Sequence, residues 1–372
     1  MIEWSDKNKH NSFCSWKGLC YYEHYKKIVD WLDKGSSELP PPIEINIDPV
    51  GECNLRCFFC TVQDYLKHHR EELGEIRQLP TEYMHQLVDF LAQWDVRGLC
   101  ISGGGEPSLH RGAWELPRHA VDKGMEASFV TNGVIMAPEL AEAMMLCRWV
   151  NFSVDAADRE TFKTIKGADR FDKVITNISY VTKYRERTHS PVDICFSLLI
   201  VPENASSIHK ACKLAKELGV QNFHARPVDF ERSDIEGARK LNFDIFKIQE
   251  EFARCHEEET KDFHVFTVTH KFDPEFHVKH DFKRCLATPL LFSILQDGNA
   301  YLCPDRKMEP QFRLGPCYPN PETILDWWGS EKHRQIIRSV NPAVHCSKCT
   351  KSQYNRQIEE VILCDGMCLS FP

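Results

Sequence analysis

The chain has 372 residues, 42% of them hydrophobic and 11% aromatic, so it can bury one large α/β core with a smaller appendage. Acidic and basic residues are interspersed and the net charge is −8, which argues against a nucleic-acid-binding surface. No apolar run reaches the roughly 18 residues that a membrane-spanning helix needs. The first residues lack the apolar segment of a signal peptide, so we expect a cytoplasmic protein without nucleic-acid or membrane partners.

Seventeen cysteines are many for a chain of this length. A reducing cytosol disfavours a disulfide framework, and an odd number fits full pairing poorly. We therefore expect metal or iron–sulfur ligation.

Residues 1–42 are predicted to form a helical extension that ends before a Pro-rich linker, because prolines lack backbone donors and favour extended chain. Short apolar strands then alternate with amphipathic helical patterns, which indicates βα units and a parallel sheet. Six such strands predict an α/β fold, a partial (β/α)6 TIM-type barrel over residues 43–230. The strands are predicted at 43–48, 98–102, 127–131, 149–155, 193–201 and 221–227.

The pattern changes after about residue 230. Residues 231–284 are predicted to connect two domains, and "FHVFTVTH" in this segment alternates like an edge strand. Residues 285–372 are predicted to form a small α+β domain. In it, "LLFSILQDGNAYLCP" is typical of two strands joined by a turn at Asp297-Gly298-Asn299, and "PETILDWWGSEKHRQIIRSV" has helical spacing.

The stretch "CNLRCFFC" places Cys53, Cys57 and Cys60 within eight residues. A [4Fe–4S] cube has four irons, so three thiolates leave one iron open to another ligand. The loop follows the first predicted strand and is expected at the carboxyl mouth of the barrel, where barrel active sites form. A zinc site completed by His68 or His69 is the alternative.

The spacing C-x3-C-x2-C, with the aromatic Phe59 before the last cysteine, resembles the cluster motif of the radical S-adenosylmethionine (SAM) superfamily. The resemblance implies that the amino and carboxylate groups of SAM chelate the open iron. "GGGEP" resembles the superfamily motif that binds the SAM amino group, which Glu106 would meet with a carboxylate. Glycines also let the backbone approach a ligand closely. This motif supplies four expected SAM-binding residues, Gly103, Gly104, Gly105 and Glu106, and the resemblance also places Phe59 among the expected cofactor-binding residues.

The ends of later strands continue this resemblance, which covers most of residues 43–230. It implies contacts of Asn132, Ser153 and Asp155 with the ribose or carboxylate of SAM. It also implies that Leu199 and Val201 line the adenine pocket. The alternative is ordinary strand-end capping for the polar residues and core packing for the apolar ones.

A second group of cysteines lies in the C-terminal part of the chain. Four thiolates can ligate a cluster completely. Their arrangement resembles the twitch domain, the shorter relative of the SPASM domain, and implies one auxiliary [4Fe–4S] cluster. A zinc site with four cysteines has a similar pattern and stays open. The predicted ligands are Cys285, Cys303, Cys346 and Cys349.

Cys364 and Cys368 depart from the SPASM pattern, which would place its next cysteines closer to Cys349. We interpret them as buried thiols of a terminal strand. Ligation of a further cluster by these two residues is the alternative.

The resemblance implies reductive cleavage of SAM to a 5′-deoxyadenosyl radical that abstracts a substrate hydrogen, with electrons from a flavodoxin- or ferredoxin-type donor. A fully ligated auxiliary cluster has no open iron, so its expected role is electron transfer. Twitch enzymes of this kind resemble sugar and aminocyclitol dehydrogenases. We therefore expect an oxidoreductase, or a related epimerase, that acts on a small carbohydrate- or aminocyclitol-like molecule.

Arg226, at the end of the sixth predicted strand, is expected to bind the substrate or to handle a proton; a salt-bridged structural arginine is the alternative. Modification of a ribosomal peptide is the second hypothesis for the enzyme. The short segment before the first strand disfavours it, because many peptide-modifying relatives begin with a recognition domain. A non-catalytic iron–sulfur protein that binds SAM is the third hypothesis.

Overall fold

A computed structural model describes residues 18, 20–35, 38–60, 62, 78–228, 243–269, 271–346 and 349–363. Within these ranges, ten strands form one sheet. The first helix, α1 (Tyr22–Lys34), ends at Gly35, whose φ of +65° favours glycine. This helix precedes the proline run, as the sequence predicts.

Strands and helices alternate through the barrel region. Neighbouring strands from β1 to β7 are parallel, and the sheet does not close, which confirms the predicted partial barrel. The last of these strands lies at the sheet edge, as the alternation of "FHVFTVTH" predicts. The elements are β1 (Glu44–Ile47), α2 (Thr81–Gln93), β2 (Gly98–Ile101), α3 (Arg111–Asp122), β3 (Glu126–Thr131), α4 (Pro138–Met144), β4 (Trp149–Ser153), α5 (Arg159–Lys166), α6 (Phe171–Thr188), β5 (Asp193–Ile200), α7 (Ile208–Glu217), β6 (Asn222–Pro227), α8 (Ile245–Glu257) and β7 (His264–Thr267).

The C-terminal region continues the same sheet. The predicted hairpin forms through Gly298, which has φ of +77°. Its first strand also pairs in parallel with β1, an arrangement that the sequence does not predict because strand pattern does not reveal which edge a hairpin joins. The domain boundaries stay a prediction. The elements are β8 (Leu291–Ile294), β9 (Asn299–Tyr301), β10 (Arg313–Pro316), α9 (Ile324–Trp327), α10 (Glu331–Ser339), α11 (Pro342–His345) and α12 (Ser352–Gln357).

The two faces of the parallel sheet differ in polarity, because register partners on neighbouring strands point to the same side. One face carries buried apolar residues such as Ile45, Phe129 and Phe196, which belong to the main core. A closed barrel would also fill its other face with bulky branched residues. Here that face is largely polar, and we call the following set the polar face: Asn46, Cys100, Ser128, Asn151, Ser153, Ser197, His224, Arg226 and Ser293.

An aromatic cluster packs the C-terminal region against α1. The His333 ring lies 4.8 Å from the Trp328 ring and 5.2 Å from the Trp31 ring, between centroids. Its Nδ1 accepts a hydrogen bond from Gly329 N at 3.1 Å, and Gly329 separates α9 from α10 with φ of +73°. Burial lowers the pKa of His333 to about 3. The folded protein therefore holds this imidazole in its neutral form.

Across the described ranges, none of the helices combines the length and the apolar character that crossing a membrane requires.

His333 makes the stability of the protein depend on pH. An unfolded histidine binds a proton below a pKa of about 6.5, whereas folded His333 does so only near pH 3, so its contribution is lost as the pH falls through this window. We expect wild type to lose about 2 kcal/mol of unfolding free energy from this group between pH 7 and pH 5. Urea denaturation of wild type and His333→Asn at both pH values measures it. Equal pH dependence in the two proteins would contradict the prediction.

Candidate functional site

The predicted cysteine loop follows β1 and is held by the end of α5. Arg56 N donates to Lys166 O at 2.8 Å, and Phe58 N donates to Ile165 O at 3.3 Å. A Cβ at Gly167 would lie 2.7 Å from Arg56 O, so a glycine is required where the helix end meets the loop. The two backbone contacts fix the position of the loop against the barrel.

The three thiols of this loop lie close to one another. Burial raises the pKa of Cys57 to about 11, and the charges of Cys60 and Cys53 contribute in the same direction while Lys166 opposes them. Burial also raises the pKa of Cys53, whose Sγ lies 3.7 Å from Asn132 Nδ2. The loop therefore places three partly buried sulfurs in one another's electrostatic range.

Among the residues that the structure describes, no three Cys, His, Asp or Glu side chains converge on the position of a single metal ion. A cubane cluster has a different requirement, because each thiolate binds its own iron.

The glycine loop after β2 lies directly against the segment that leads into the cysteines. Gly105 N donates to Val50 O at 3.0 Å, and Glu106 N donates to Glu52 O at 2.7 Å. A Cβ on Gly105 would lie 2.2 Å from Glu52 O, so a larger residue would push the two loops apart. The glycine motif thus positions the backbone beside the thiol loop.

Glu106 lies at the centre of this junction and is 3% exposed. Its Oε1 accepts from Thr131 Oγ1 at 2.6 Å and from Ser108 N at 3.0 Å, and its Oε2 accepts from Asn132 N at 2.7 Å. Burial raises its pKa, and these hydrogen bonds oppose the shift. In this arrangement the carboxylate joins the glycine loop to the end of β3.

Asn132 extends the same network to the cysteine loop. Its Nδ2 donates to Asn54 Oδ1 at 2.7 Å, and its Oδ1 accepts from Val134 N at 3.0 Å. The end of β3 is therefore bonded both to Glu106 and to the residue that follows Cys53.

Asp155 and Lys166 form a buried ion pair beside the thiols. Asp155 Oδ2 accepts from Lys166 Nζ, and Asp155 Oδ1 accepts from Leu199 N at 2.7 Å. Burial alone would lower the pKa of Lys166, but Asp155 and Cys57 outweigh it and the pKa is raised. The ammonium lies 5.9 Å from the centroid of the Phe59 ring. The pair therefore connects the end of β4 to the cysteine loop through a buried cation.

The other expected SAM contacts lie around this pair. Ser153 lies on the polar face in register with Ser197, and Leu199 is in register with Arg226. Val201 is buried, and its N–H donates to Asn204 Oδ1 at 2.8 Å. These positions are known from the fold, whereas the SAM contacts and the role of Arg226 stay predictions.

The four C-terminal cysteines predicted to bind the auxiliary cluster also lie together. Burial raises the pKa of Cys285 to about 12, with a contribution from Cys346. Burial also raises the pKa of Cys303 and of Cys349 well above the usual value, and each of these thiols has Cys285 among the charges that act on it. The fold thus brings together thiols that are up to 64 positions apart in the sequence, between residues 285 and 349.

Several residues of these sites are missed by sequence reasoning. Lys166 belongs to no recognisable motif. The only signal in the sequence is that Gly167 follows it, which indicates that a helix ends there. Asp48 and Lys307 form a second buried ion pair, with Lys307 Nζ 2.7 Å and 3.0 Å from the two carboxylate oxygens. Asn355, which accepts a hydrogen bond from the backbone just after Cys285, carries no motif either. Other predicted positions lie outside the described residues, namely His68, His69, Cys364 and Cys368.

The comparison with protein families supports the motif assignment. The model of the radical SAM superfamily matches residues 47–215. A probable GTP 3′,8-cyclase of Saccharolobus islandicus is 29% identical over 187 residues, which cover 50% of this chain and 56% of that protein. The chain thus spans about half the length of this curated relative.

Solved structures share the fold over most of the chain. Streptococcus suis SuiB bound to S-adenosylmethionine has a TM-score of 0.64 at 16% identity, covering 90% of this chain and 78% of that chain. SuiB has also been solved with the precursor peptide SuiA, with a TM-score of 0.60 at 16% identity, covering 85% of this chain and 70% of that chain. The structure of anSMEcpe with bound AdoMet has a TM-score of 0.59 at 18% identity, covering 86% and 95% respectively.

Removing one partner of the Asp155–Lys166 pair leaves a buried charge without compensation. We expect Lys166→Met to lower the free energy of unfolding by about 3 to 5 kcal/mol. The double variant Asp155→Asn/Lys166→Met is expected to recover most of this loss, because neither charge remains. Asparagine tolerates the φ of +60° at position 155. Urea denaturation of the cluster-free proteins measures both effects.

The matched control is Arg159→Ala, which breaks the exposed ion pair of α5 with Asp169. Exposed pairs contribute little, so its effect is expected to be much smaller. A double variant as unstable as Lys166→Met would contradict the assignment of the loss to an uncompensated charge.

Proposed function

The chain belongs to the radical SAM superfamily through residues 47–215, and on this basis we propose that it oxidises a small polar substrate on the polar face of its partial barrel. In this proposal Cys53, Cys57 and Cys60 bind the [4Fe–4S] cluster that holds SAM. The four C-terminal cysteines bind one auxiliary [4Fe–4S] cluster. The observation that carries the proposal is that β1, a strand of the polar face, leads into the three-cysteine loop and is paired at both ends with lysines that follow the auxiliary ligands Cys303 and Cys349.

The residues of the first site fit a cluster with SAM. Three partly buried sulfurs lie close together, and the glycine loop approaches their segment at distances that exclude a side chain at Gly105. We assign Glu106 and Asn132 to holding this geometry, since their side chains bond to neighbouring protein groups. When bound, the cluster and SAM supply a 5′-deoxyadenosyl radical that removes a hydrogen atom from the substrate.

The residues of the second site fit a fully ligated cluster. Cys285 is buried, the other three thiols are partly buried, and Cys285 lies within electrostatic range of each of them. Together the four would leave no iron open to a substrate. The cluster that they would hold could accept one electron. In the net oxidation, a substrate carbon would lose a hydrogen atom to the 5′-deoxyadenosyl radical, the hydroxyl on that carbon would lose a proton to a base, and the remaining electron would pass to the auxiliary cluster. The product is a carbonyl compound.

The chain's own residues would orient the substrate. The polar face offers amide, hydroxyl and imidazole groups, and Asn151 Nδ2 donates to Ser197 Oγ at 3.1 Å across β4 and β5. Such groups suit the hydroxyl or amino groups of a carbohydrate or aminocyclitol. Arg226, next to Leu199 in register, is proposed to bind a substrate oxygen or to assist its deprotonation.

Peptide modification is the second candidate function. SuiB, solved with a precursor peptide, shares the fold over 85% of this chain. At 16% identity this likeness concerns the fold alone. GTP cyclisation receives less support, because the alignment with the probable GTP 3′,8-cyclase is confined to about half of each chain.

Iron analysis tests the two-cluster arrangement. After anaerobic reconstitution we expect about eight irons per chain in wild type and about four in Cys53→Ala/Cys57→Ala/Cys60→Ala, because the variant keeps the auxiliary site. The variant should also lose formation of 5′-deoxyadenosine from SAM. About four irons in wild type together with bound zinc would contradict the auxiliary cluster. About twelve irons in wild type would contradict the single auxiliary cluster and bring Cys364 and Cys368 into ligation.

Substrate-dependent SAM cleavage tests the substrate class. The reconstituted enzyme is incubated with SAM, dithionite and one probe: a mixture of aminocyclitols, a nucleotide sugar, a synthetic peptide, or GTP. We expect 5′-deoxyadenosine to form faster with a carbohydrate-like probe, and deuterium to pass from the deuterated probe to 5′-deoxyadenosine. Arg226→Lys, which keeps the charge, and Arg226→Leu then test the arginine. Transfer only from the peptide or from GTP would contradict the carbohydrate assignment.

A further inference from the structure

Asn355 on α12 joins two of the segments that carry the C-terminal cysteines. Its Oδ1 accepts from Leu286 N at 2.6 Å and from Ala287 N at 2.8 Å, immediately after Cys285. Its Nδ2 lies 3.8 Å from Cys349 Sγ. Because two backbone N–H groups require an acceptor at Oδ1, the amide has only one orientation, with the NH2 group towards the sulfur.

Arg306 places a buried cation beside the auxiliary ligands. Its backbone N–H donates to Cys303 O at 3.2 Å. Its side chain is 7% exposed and pairs with Glu309 Oε1 at 2.9 Å. The site therefore has a side-chain donor near Cys349 and a buried guanidinium in the loop that follows Cys303.

Asp305 places a negative charge beside the same thiols. Its carboxylate accepts from Thr350 N at 2.7 Å and from Thr350 Oγ1 at 2.9 Å, which ties its loop to the Cys349 turn. A negative charge near a cluster disfavours the addition of an electron. The amide donor of Asn355 and the positive charge of Arg306 are thus the groups in this set that favour the reduced state.

Hydrogen bonds to cysteine sulfurs stabilise the more negative, reduced form of an iron–sulfur cluster and raise its reduction potential. We propose that Asn355 and Arg306 are positioning residues that raise the potential of the auxiliary cluster, so that it accepts the electron left on the substrate. This inference rests on the proposed function, in which the four thiols bind that cluster. Asn355 then has two separable roles. Its Oδ1 holds the segment after Cys285, and its Nδ2 raises the reduction potential by donating to the sulfur of Cys349.

The substitution Asn355→Asp separates these roles, because it keeps an acceptor for the two backbone N–H groups and replaces the donor with an oxygen. It is made in the full chain carrying Cys53→Ala/Cys57→Ala/Cys60→Ala, so that only the auxiliary cluster gives an EPR signal. We expect iron to stay at about four per chain. At a given applied potential, the ratio of reduced to oxidised cluster should fall at least about tenfold, which is 59 mV for one electron.

The matched control is Asn320→Asp, which adds the same charge at an exposed cap and is expected to leave the potential unchanged. Arg306→Gln is the second variant and should also lower the potential. It keeps the inference testable if Asn355→Asp does not fold.

An unchanged potential with iron retained, in either variant, would overturn the tuning role. Loss of iron from folded Asn355→Asp would also overturn it, and Asn355 would then serve only to hold the segments that bind the cluster. If the background chain with Asn355 and Arg306 intact holds no iron, the proposed auxiliary cluster itself fails, and this result is recognisable without either variant.

Discussion

Lys307 and Asp48 form a buried ion pair at the carboxyl end of β1, and the relation between the two cysteine sites depends on it. The ammonium bonds both carboxylate oxygens, and Ser102 Oγ donates to one of them at 3.1 Å. A second lysine, Lys351, lies 3.8 Å from Glu44 at the other end of the strand. Each lysine follows closely on a predicted auxiliary ligand. Breaking a buried pair leaves a charge uncompensated, so the C-terminal loops cannot leave β1 without cost.

This attachment holds β1 at both ends, because the loop after Cys303 reaches Asp48 and the turn after Cys349 lies near Glu44. The strand separates Glu44 from Asp48 by four residues, or about 13 Å at the usual rise. The cysteine loop begins beyond Asp48, whereas the turn that carries Cys349 lies near Glu44. The parallel pairing of β8 with β1 fixes the same relation through the backbone. The polar face therefore lies alongside a strand that the C-terminal loops hold at both ends and that leads into the three-cysteine loop at its carboxyl end.

Buried charge and close backbone approach organise the first site in the same way. Lys166 holds Asp155 while its backbone carbonyl holds the cysteine loop. Glu106 receives three hydrogen bonds from the protein, so its structural effect is to hold the glycine loop and the end of β3 together. Residues expected to contact SAM directly thus also act by fixing one another. Such a network keeps three thiols in place without a helix or strand of their own.

Local pattern in the sequence was sufficient for the strands of the partial barrel, the hairpin at Gly298, the three-cysteine loop and the glycine motif, because each depends on periodicity or on spacing within a few residues. The polar face is harder to predict from the sequence, because assigning residues to one side of the sheet requires the register of every strand pair. Only the tertiary structure decided that β8 joins β1, that Lys307 meets Asp48 across 259 positions, and that Asn355 bonds the segment after Cys285. These contacts depend on how the chain closes on itself. A lone lysine or asparagine carries no local signal of its distant partner.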